Sequence, residues 1–323
     1  MPPRFLAAAL FALAASAQTS DRVFFTPHVQ STADLQSIVS IVRSVGDIQQ
    51  VTAEFTRKAI TVKGDAAQFA FVDWATHELD DPTGGAGPRE YRIGEGDRSI
   101  VRIYYLTNIK TPLEIQEVLN AIRSVADVQR MLPYNTAAAL VARGTADEMA
   151  AVDWLVHELD QPAPAKTSAD LPMPWTPRVP EVAKVFALKT ATPVQLQEIA
   201  NLTRSVADIQ RFFPISSSRV IVARGTAEQI AIAGWIIQQL ENPTPAPPPE
   251  YRTTDKLNPV IRIAFLPETV TVQSLLETVN VVRAATRLAR VFPITHPKVI
   301  AIRGTADQVS RADLLLNELT APK

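Results

Sequence analysis

The sequence has no cysteine. That absence excludes disulfide frameworks, thiol catalysis, cysteine-held metal and a lipidated N-terminal cysteine. Charge of one sign is also lacking. Lys plus Arg number 32 against 33 Asp plus Glu, so the chain has no global pull toward nucleic acid or anionic lipid. Long apolar runs are missing with one exception. Phe5–Ala14 is unbroken and apolar, Arg4 precedes it, and Ala15-Ser16-Ala17 follows as a small-residue cleavage site. About ten apolar residues fall short of the roughly 20 that span a bilayer, so residues 1–17 are read as a signal peptide cleaved after Ala17. The expected location is periplasmic or secreted, with no transmembrane segment in the mature chain.

What is present is repetition. Three near-identical heptapeptides recur, Arg43-Ser-Val-Gly-Asp-Ile-Gln49, Arg123-Ser-Val-Ala-Asp-Val-Gln129 and Arg204-Ser-Val-Ala-Asp-Ile-Gln210, and a fourth has drifted to Arg283-Ala-Ala-Thr-Arg-Leu-Ala289. Each is followed by a strand-ending glycine, at Gly64, Gly144, Gly225 and Gly304, always 21 residues after the arginine. Constant internal length with variation between copies means folded units: residues 22–82, 100–162, 183–243 and 260–322. Proline-rich segments lie between them, such as Pro243-Thr-Pro-Ala-Pro-Pro-Pro249, and are expected to be extended linkers. The first and third linkers share Pro88-Arg-Glu-Tyr-Arg92 and Pro248-Pro-Glu-Tyr-Arg252, so the modules read as two pairs from a duplicated two-module unit.

Each module reads β-α-β-β-α. In the second copy Val101, Ile103 and Tyr105 alternate as a half-buried strand. Thr111-Pro112 then caps a helix whose apolar face carries Ile115, Val118, Leu119 and Ile122. Two strands follow, Val125–Leu132 and Ala138–Arg143. Gly144 is expected to turn the chain at positive φ, and Thr145 to cap the second helix. Proline two residues past the final Leu-Asp or Leu-Glu stops that helix. The most apolar strand, the third (Val220-Ile-Val-Ala223, Val299-Ile-Ala-Ile302), is placed centrally. The second strand, with Pro133, Pro214 or Pro293, is placed at an edge. The predicted fold class is thus α+β: four tandem two-layer modules, strand order 1-3-2, both helices on one face. A module of about 60 residues is marginal alone, so packing between neighbours is expected to matter.

Leu140-Val-Ala-Arg-Gly-Thr145 with Leu159-Asp-Gln-Pro162, and Val220–Thr226 with Leu240-Glu-Asn-Pro243, resemble the repeated N-domain of bacterial secretins. The resemblance covers all four modules. It implies a KH-like fold and a role as periplasmic rings docking envelope proteins. No segment here is read as a pore barrel, so only the adaptor role is implied.

Trp74, Trp154 and Trp235 share one helix position, with Leu314 in the fourth copy. At 100° per residue they point away from the core. One reading makes them anchors for a partner or a neighbouring module; the other folds each ring over its own helix end or a linker. His28, His77, His157 and His296 do not cluster at metal-ligand spacing. Asp47, Asp127 and Asp208 occur once per module and form no acid/base pair, so they are read as capping the helix-to-strand turn. Arg43, Arg123, Arg204 and Arg283 suit helix C-termini. No catalytic residue, metal or cofactor is predicted, and no GXXG loop supports RNA binding. The function expected is an exported scaffold of secretin N-domain-like repeats, contacting envelope proteins or its own copies in a secretion or type IV pilus-type assembly. The alternative is a soluble extracytoplasmic ligand-binding or adhesive repeat protein.

Overall fold

The computed structural model describes residues 20–80, 89–162, 166–173, 179–243 and 248–320. The signal-peptide segment and many linker prolines lie outside these residues.

Four α+β modules follow one another. In the first, β1 (Ser20–Phe25), α1 (Thr32–Val45), β2 (Gln50–Glu54), β3 (Ala59–Gly64) and α2 (Ala66–Asp80) form an antiparallel sheet of order β1-β3-β2. The second runs β4 (Arg89–Arg92), β5 (Ile100–Tyr105), α3 (Pro112–Ala126), β6 (Arg130–Tyr134), β7 (Ala139–Gly144) and α4 (Ala146–Leu159). The third runs β8 (Leu171–Met173), β9 (Glu181–Ala187), α5 (Pro193–Ala207), β10 (Arg211–Ile215), β11 (Val220–Thr226) and α6 (Ala227–Glu241). The fourth runs β12 (Glu250–Arg252), β13 (Val260–Phe265), α7 (Val272–Thr286), β14 (Arg290–Ile294), β15 (Val299–Gly304) and α8 (Ala306–Thr320).

The 1-3-2 order holds in every sheet, but modules two to four add a fourth strand, giving β4-β5-β7-β6, β10-β11-β9-β8 and β12-β13-β15-β14. The added strands come from the linkers. Glu250-Tyr-Arg252 pairs with Val260–Arg262, and Leu171-Pro-Met173 with Glu181–Ala183. A linker read as free extended chain therefore ends by covering the open edge of the sheet that follows, which removes an exposed row of backbone donors and acceptors.

Contacts divide the chain into two compact units, Met1–Gly85 with Tyr91–Gly96, and Ala86–Glu90 with Asp97–Lys323. In the first, Phe24, Leu35, Ile38, Val42, Ile60, Val62, Phe71 and Leu79 are buried between sheet and helices. In the second, the cores do not stay within modules. One apolar cluster joins Ile115, Ile122, Val125 and Leu155 of module two to Ala183, Val185, Ile215, Val220 and Val222 of module three. A second joins Leu196, Leu202, Val206 and Ile236 of module three to Ile261, Ile263, Ile294, Val299 and Ala301 of module four. Modules two to four thus share apolar cores across neighbours, in keeping with the marginal size of one module alone. Alternate residues of β11 explain why. Val220 and Val222 belong to the first cluster, while Ile221 and Ala223 belong to the second, so both faces of this sheet are buried. A strand wrapped on both sides needs an unbroken apolar run, and Val220-Ile-Val-Ala223 supplies it.

Candidate functional site

The repeated surface in the second unit is a helix layer seated under the next module's sheet. Helix α3 packs on β10 and β11, and α5 packs on β14 and β15. Each seam is closed by a buried arginine standing just before the strand-ending glycine. Arg224, 4% exposed, donates from Nη1 to the Val125 carbonyl at 2.7 Å and to Asp127 Oδ2 at 2.9 Å, and from Nε to Glu181 at 2.7 Å. Arg303, 7% exposed, donates to the Val206 carbonyl at 2.7 Å and to Asp255 at 3.1 Å. Val125 and Val206 are equivalent residues in the last turns of α3 and α5, where carbonyls lack helical donors. The guanidinium thus caps a neighbour's helix and meets its dipole.

The heptapeptide aspartates join the same seam. Asp127 and Asp208 sit in the left-handed conformation after their helices, at φ 60° and 62°, which a short polar side chain tolerates best. Asp127 also takes Arg211 at 2.8 Å, and Asp208 takes Arg290 at 3.0 Å. Two further acids accept backbone N–H groups across the seams: Glu117 from Ser216 at 3.1 Å and Glu198 from Thr295 at 3.2 Å. The turn-capping role read for the aspartates is therefore only half of what they do. Arginine recurs beside the most apolar strand at Arg143, Arg224 and Arg303, but Arg143 is only half-buried, so the recurrence alone does not mark a seam.

The four tryptophan-position residues differ in environment. Trp74 lies 5.2 Å, centroid to centroid, from Tyr91, which also contacts Phe71 at 5.7 Å, all within the first unit. Trp235 lies 5.4 Å from Tyr251 on β12, so that ring is half-buried between its own helix and the strand leading module four. Trp154 is half-buried against the cluster shared by modules two and three. Leu314 is 71% exposed. Both tyrosines come from the shared Glu-Tyr-Arg linker sequence. The glutamates of that sequence are used alike: Glu90 and Asp153 flank Arg102, and Glu250 and Asp313 flank Arg262. In module three Gly234 replaces the second carboxylate and Asp170–Lys184 replaces the first pair. A groove of about 450 Å³ opens there, lined by Lys184, Phe186, Ile230, Gly234 and Ile237.

Gly64, Gly144, Gly225 and Gly304 are not at positive φ; among the described glycines only Gly94 is. The requirement is space. A Cβ at Gly64, Gly144 or Gly225 would stand 2.6, 2.7 or 2.8 Å from the carboxamide or carboxylate oxygen of Gln68, Glu148 or Gln229. At Gly304 it would stand 2.3 Å from Leu288. Those polar side chains reach back to the N–H of Asp65, Thr145 and Thr226, while the latter cap the helix N-terminus in return. The glycine makes room for this reciprocal cap.

The acid closing the second helix has a role of its own beside the proline that stops the helix. Asp160 accepts the N–H groups of Thr107, Asn108 and Ile109 at 2.6, 2.7 and 3.1 Å. Asp80 does the same for His28 and Val29, and Glu241 for Lys189 and Thr190. The recurring Leu-Asp/Glu thus pins the loop after strand one.

Titratable groups are spent on structure. Burial, then its hydrogen bond to Asp153, pushes Tyr104 far above the usual phenol range. Burial works against the Arg102 charge, but Glu90 and Asp153 outweigh it and hold the guanidinium protonated. Among the described residues no three His, Asp or Glu side chains gather as a metal site. No described helix is long and apolar enough to cross a membrane.

No family model matches the chain, and no curated protein matches it. Among solved structures it is similar to ExeD of Aeromonas hydrophila, at 14% identity over 70% of this chain and 42% of that one, with a TM-score of 0.17. It is similar to the N-terminal domain of the secretin XcpQ of Pseudomonas aeruginosa, at 16% identity over 48% and 71%, TM-score 0.20. It is also similar to the type II secretion system secretin GspD of E. coli K12, at 10% identity over 89% and 58%, TM-score 0.18. The chain spans less than half of ExeD.

Proposed function

We propose that the protein is a non-enzymatic, extracytoplasmic scaffold that binds other envelope proteins through its modules, in a secretion or type IV pilus-type assembly. The observation that carries the reading is the twice-repeated seam: a helix layer, an apolar sheet face and a buried arginine form a surface that binds protein with matched residues at α3 and α5. Charged side chains support the same view, since Arg224, Arg303, Asp127 and Asp160 serve module packing rather than converging on a cleft. Affinity purification of the tagged full chain from envelopes of its own host, with light scattering of the purified protein, tests it. Retrieval of a stoichiometric envelope protein is expected; a strictly monomeric chain retrieving nothing counts against it.

A specific observation favours the ligand-binding alternative: the groove beside Gly234. It is polar at one end, where Lys184 is already paired with Asp170 at 2.6 Å. Loss of a bound small molecule on Gly234→Leu, with partner retrieval unchanged, would favour that alternative.

A further inference from the structure

Among the described residues the sheet of module one has three strands, and β1 is its outermost. In modules two to four the corresponding strand is covered by an upstream segment, β4, β8 or β12. Each covering segment brings an acid to the same base. Arg22, Arg102, Lys184 and Arg262 all stand opposite the residue two places before the strand-ending glycine. Arg102 meets Glu90 at 2.7 Å, Lys184 meets Asp170 at 2.6 Å, and Arg262 meets Glu250. Arg22 is exposed and, among the described residues, meets no carboxylate; its guanidinium lies 5.2 Å from the centre of the Phe24 ring. The backbone repeats the difference. Val185 and Ile263 turn their N–H groups to the covering segment, donating to Ser168 Oγ at 3.0 Å and to the Pro249 carbonyl at 3.2 Å. Val23 is the equivalent residue of β1, and no described strand lies on that side of it.

An uncovered row of backbone donors and acceptors is a template for a further strand, and the charges beside it select which. A strand laid on β1 as β12 lies on β13 sets one residue opposite Arg22 and the next opposite Asp21. In module four those two residues are Glu250 and Tyr251, with the tyrosine opposite Ile261; in module three Leu171 stands opposite Ala183. Module one has the exposed Asp21 in place of Ile261 and Ala183, so a basic residue fits there better than an apolar one. Opposite charges directly across a ladder attract, and like charges repel. The covering acid lies 12 or 14 residues before its base in the other modules; at those distances before Arg22 stand Leu10 and Ala8. We infer that β1 pairs with an extended segment of a partner protein in which an aspartate or glutamate, set opposite Arg22, is followed by a lysine or arginine opposite Asp21. This rests on the scaffold reading and deepens it by naming the partner's chemistry.

The test uses the full chain in its own host, with a photo-crosslinking benzophenone side chain in place of Phe25. That residue ends β1 and is 60% exposed, and the covering Thr167 reaches its counterpart Ala187 at 3.0 Å. The adduct is mapped by mass spectrometry, and the mapped segment is made as a labelled peptide and titrated against the purified chain. The expected adduct is an extended segment of another protein carrying the acidic and then the basic residue. Peptide affinity should fall at least threefold in Arg22→Glu and recover when the peptide's acid is changed to lysine. It should fall at least tenfold in Val23→Pro, whose missing N–H faces away from β3. Circular dichroism of both variants is expected to match the parent; Arg22→Glu decides alone if the proline disturbs the sheet. An adduct on the same polypeptide, on a second copy or on a helix, no adduct at all, or indifference to Arg22→Glu overturns the inference. Undiminished retrieval of a partner by unmodified chain, with no Phe25 adduct, would leave the scaffold reading standing and sink only this edge.

Discussion

Helices α5 and α7 are the same element in two settings. Both begin at a threonine cap, both end in a left-handed residue, and both carry an arginine in the last turn that donates to the second strand of its own module. They differ on one face. α5 lies under the sheet of module four and buries Leu202 and Val206; α7 leaves Val281 and Ala285 open. A helix's inner contacts fix the module, then, while its outer stripe records whether another sheet is stacked on it. The inner positions Leu275, Val279 and Val282 are buried with or without that neighbour.

Substitution on the two faces separates these roles. Leu202→Asp places an unpaired charge between modules three and four and should cost about 4 kcal/mol, read as a lower urea midpoint. Val281→Asp at the matching site should stay within about 0.5 kcal/mol of the parent. Equal losses would mean that the two faces are alike. Next in size, Arg224→Ala strips the Val125 carbonyl of its donor and leaves Asp127 with Arg211 alone, at about 2–3 kcal/mol. The discount from a fully buried pair reflects Asp127 and Glu181, whose side chains keep 41% and 30% exposure. Trp235→Ala should cost about 2 kcal/mol through lost area and the Tyr251 ring contact, against nearly nothing for Leu314→Ala, by thermal melting. Gly225→Ala crowds Gln229 out of its reciprocal cap, for about 1 kcal/mol.

The smallest effect is electrostatic. Glu228, at the start of α6, is held below the usual carboxylate range by the Thr254 hydroxyl and N–H. A lowered folded pKa means that this contribution is present above the unfolded value and is lost as pH falls through the folded one. Stability should therefore decline slightly below about pH 4, and less so in Glu228→Gln; the same decline in both would show that the contact contributes nothing.

Element order, the 1-3-2 sheet and the helix N-caps were legible because they depend on local chemistry: period-two alternation, Thr-Pro starts, and a threonine or aspartate beside each strand-ending glycine. The seams were not. Arg224 and Arg303 follow apolar runs and look like the solvated ends of strands; only the stacked neighbour reveals them as buried. The linker strands escaped because Glu-Tyr-Arg is too short to show alternation, although its recurrence at Tyr91 and Tyr251 was visible. Glycine was read as a conformational need when the constraint was steric, imposed at Gly64, Gly144 and Gly225 by a side chain four residues downstream and at Gly304 by Leu288.

Because β8 and β12 are hydrogen-bonded to the sheet that comes after them, each connecting segment belongs to the module downstream. A cut made just before Val260 or Glu181 would strip an edge from a sheet, whereas a cut soon after Pro162 or Pro243 would spare it. A module taken with its upstream segment keeps a four-stranded sheet; taken without it, the sheet is left with three strands, as in module one.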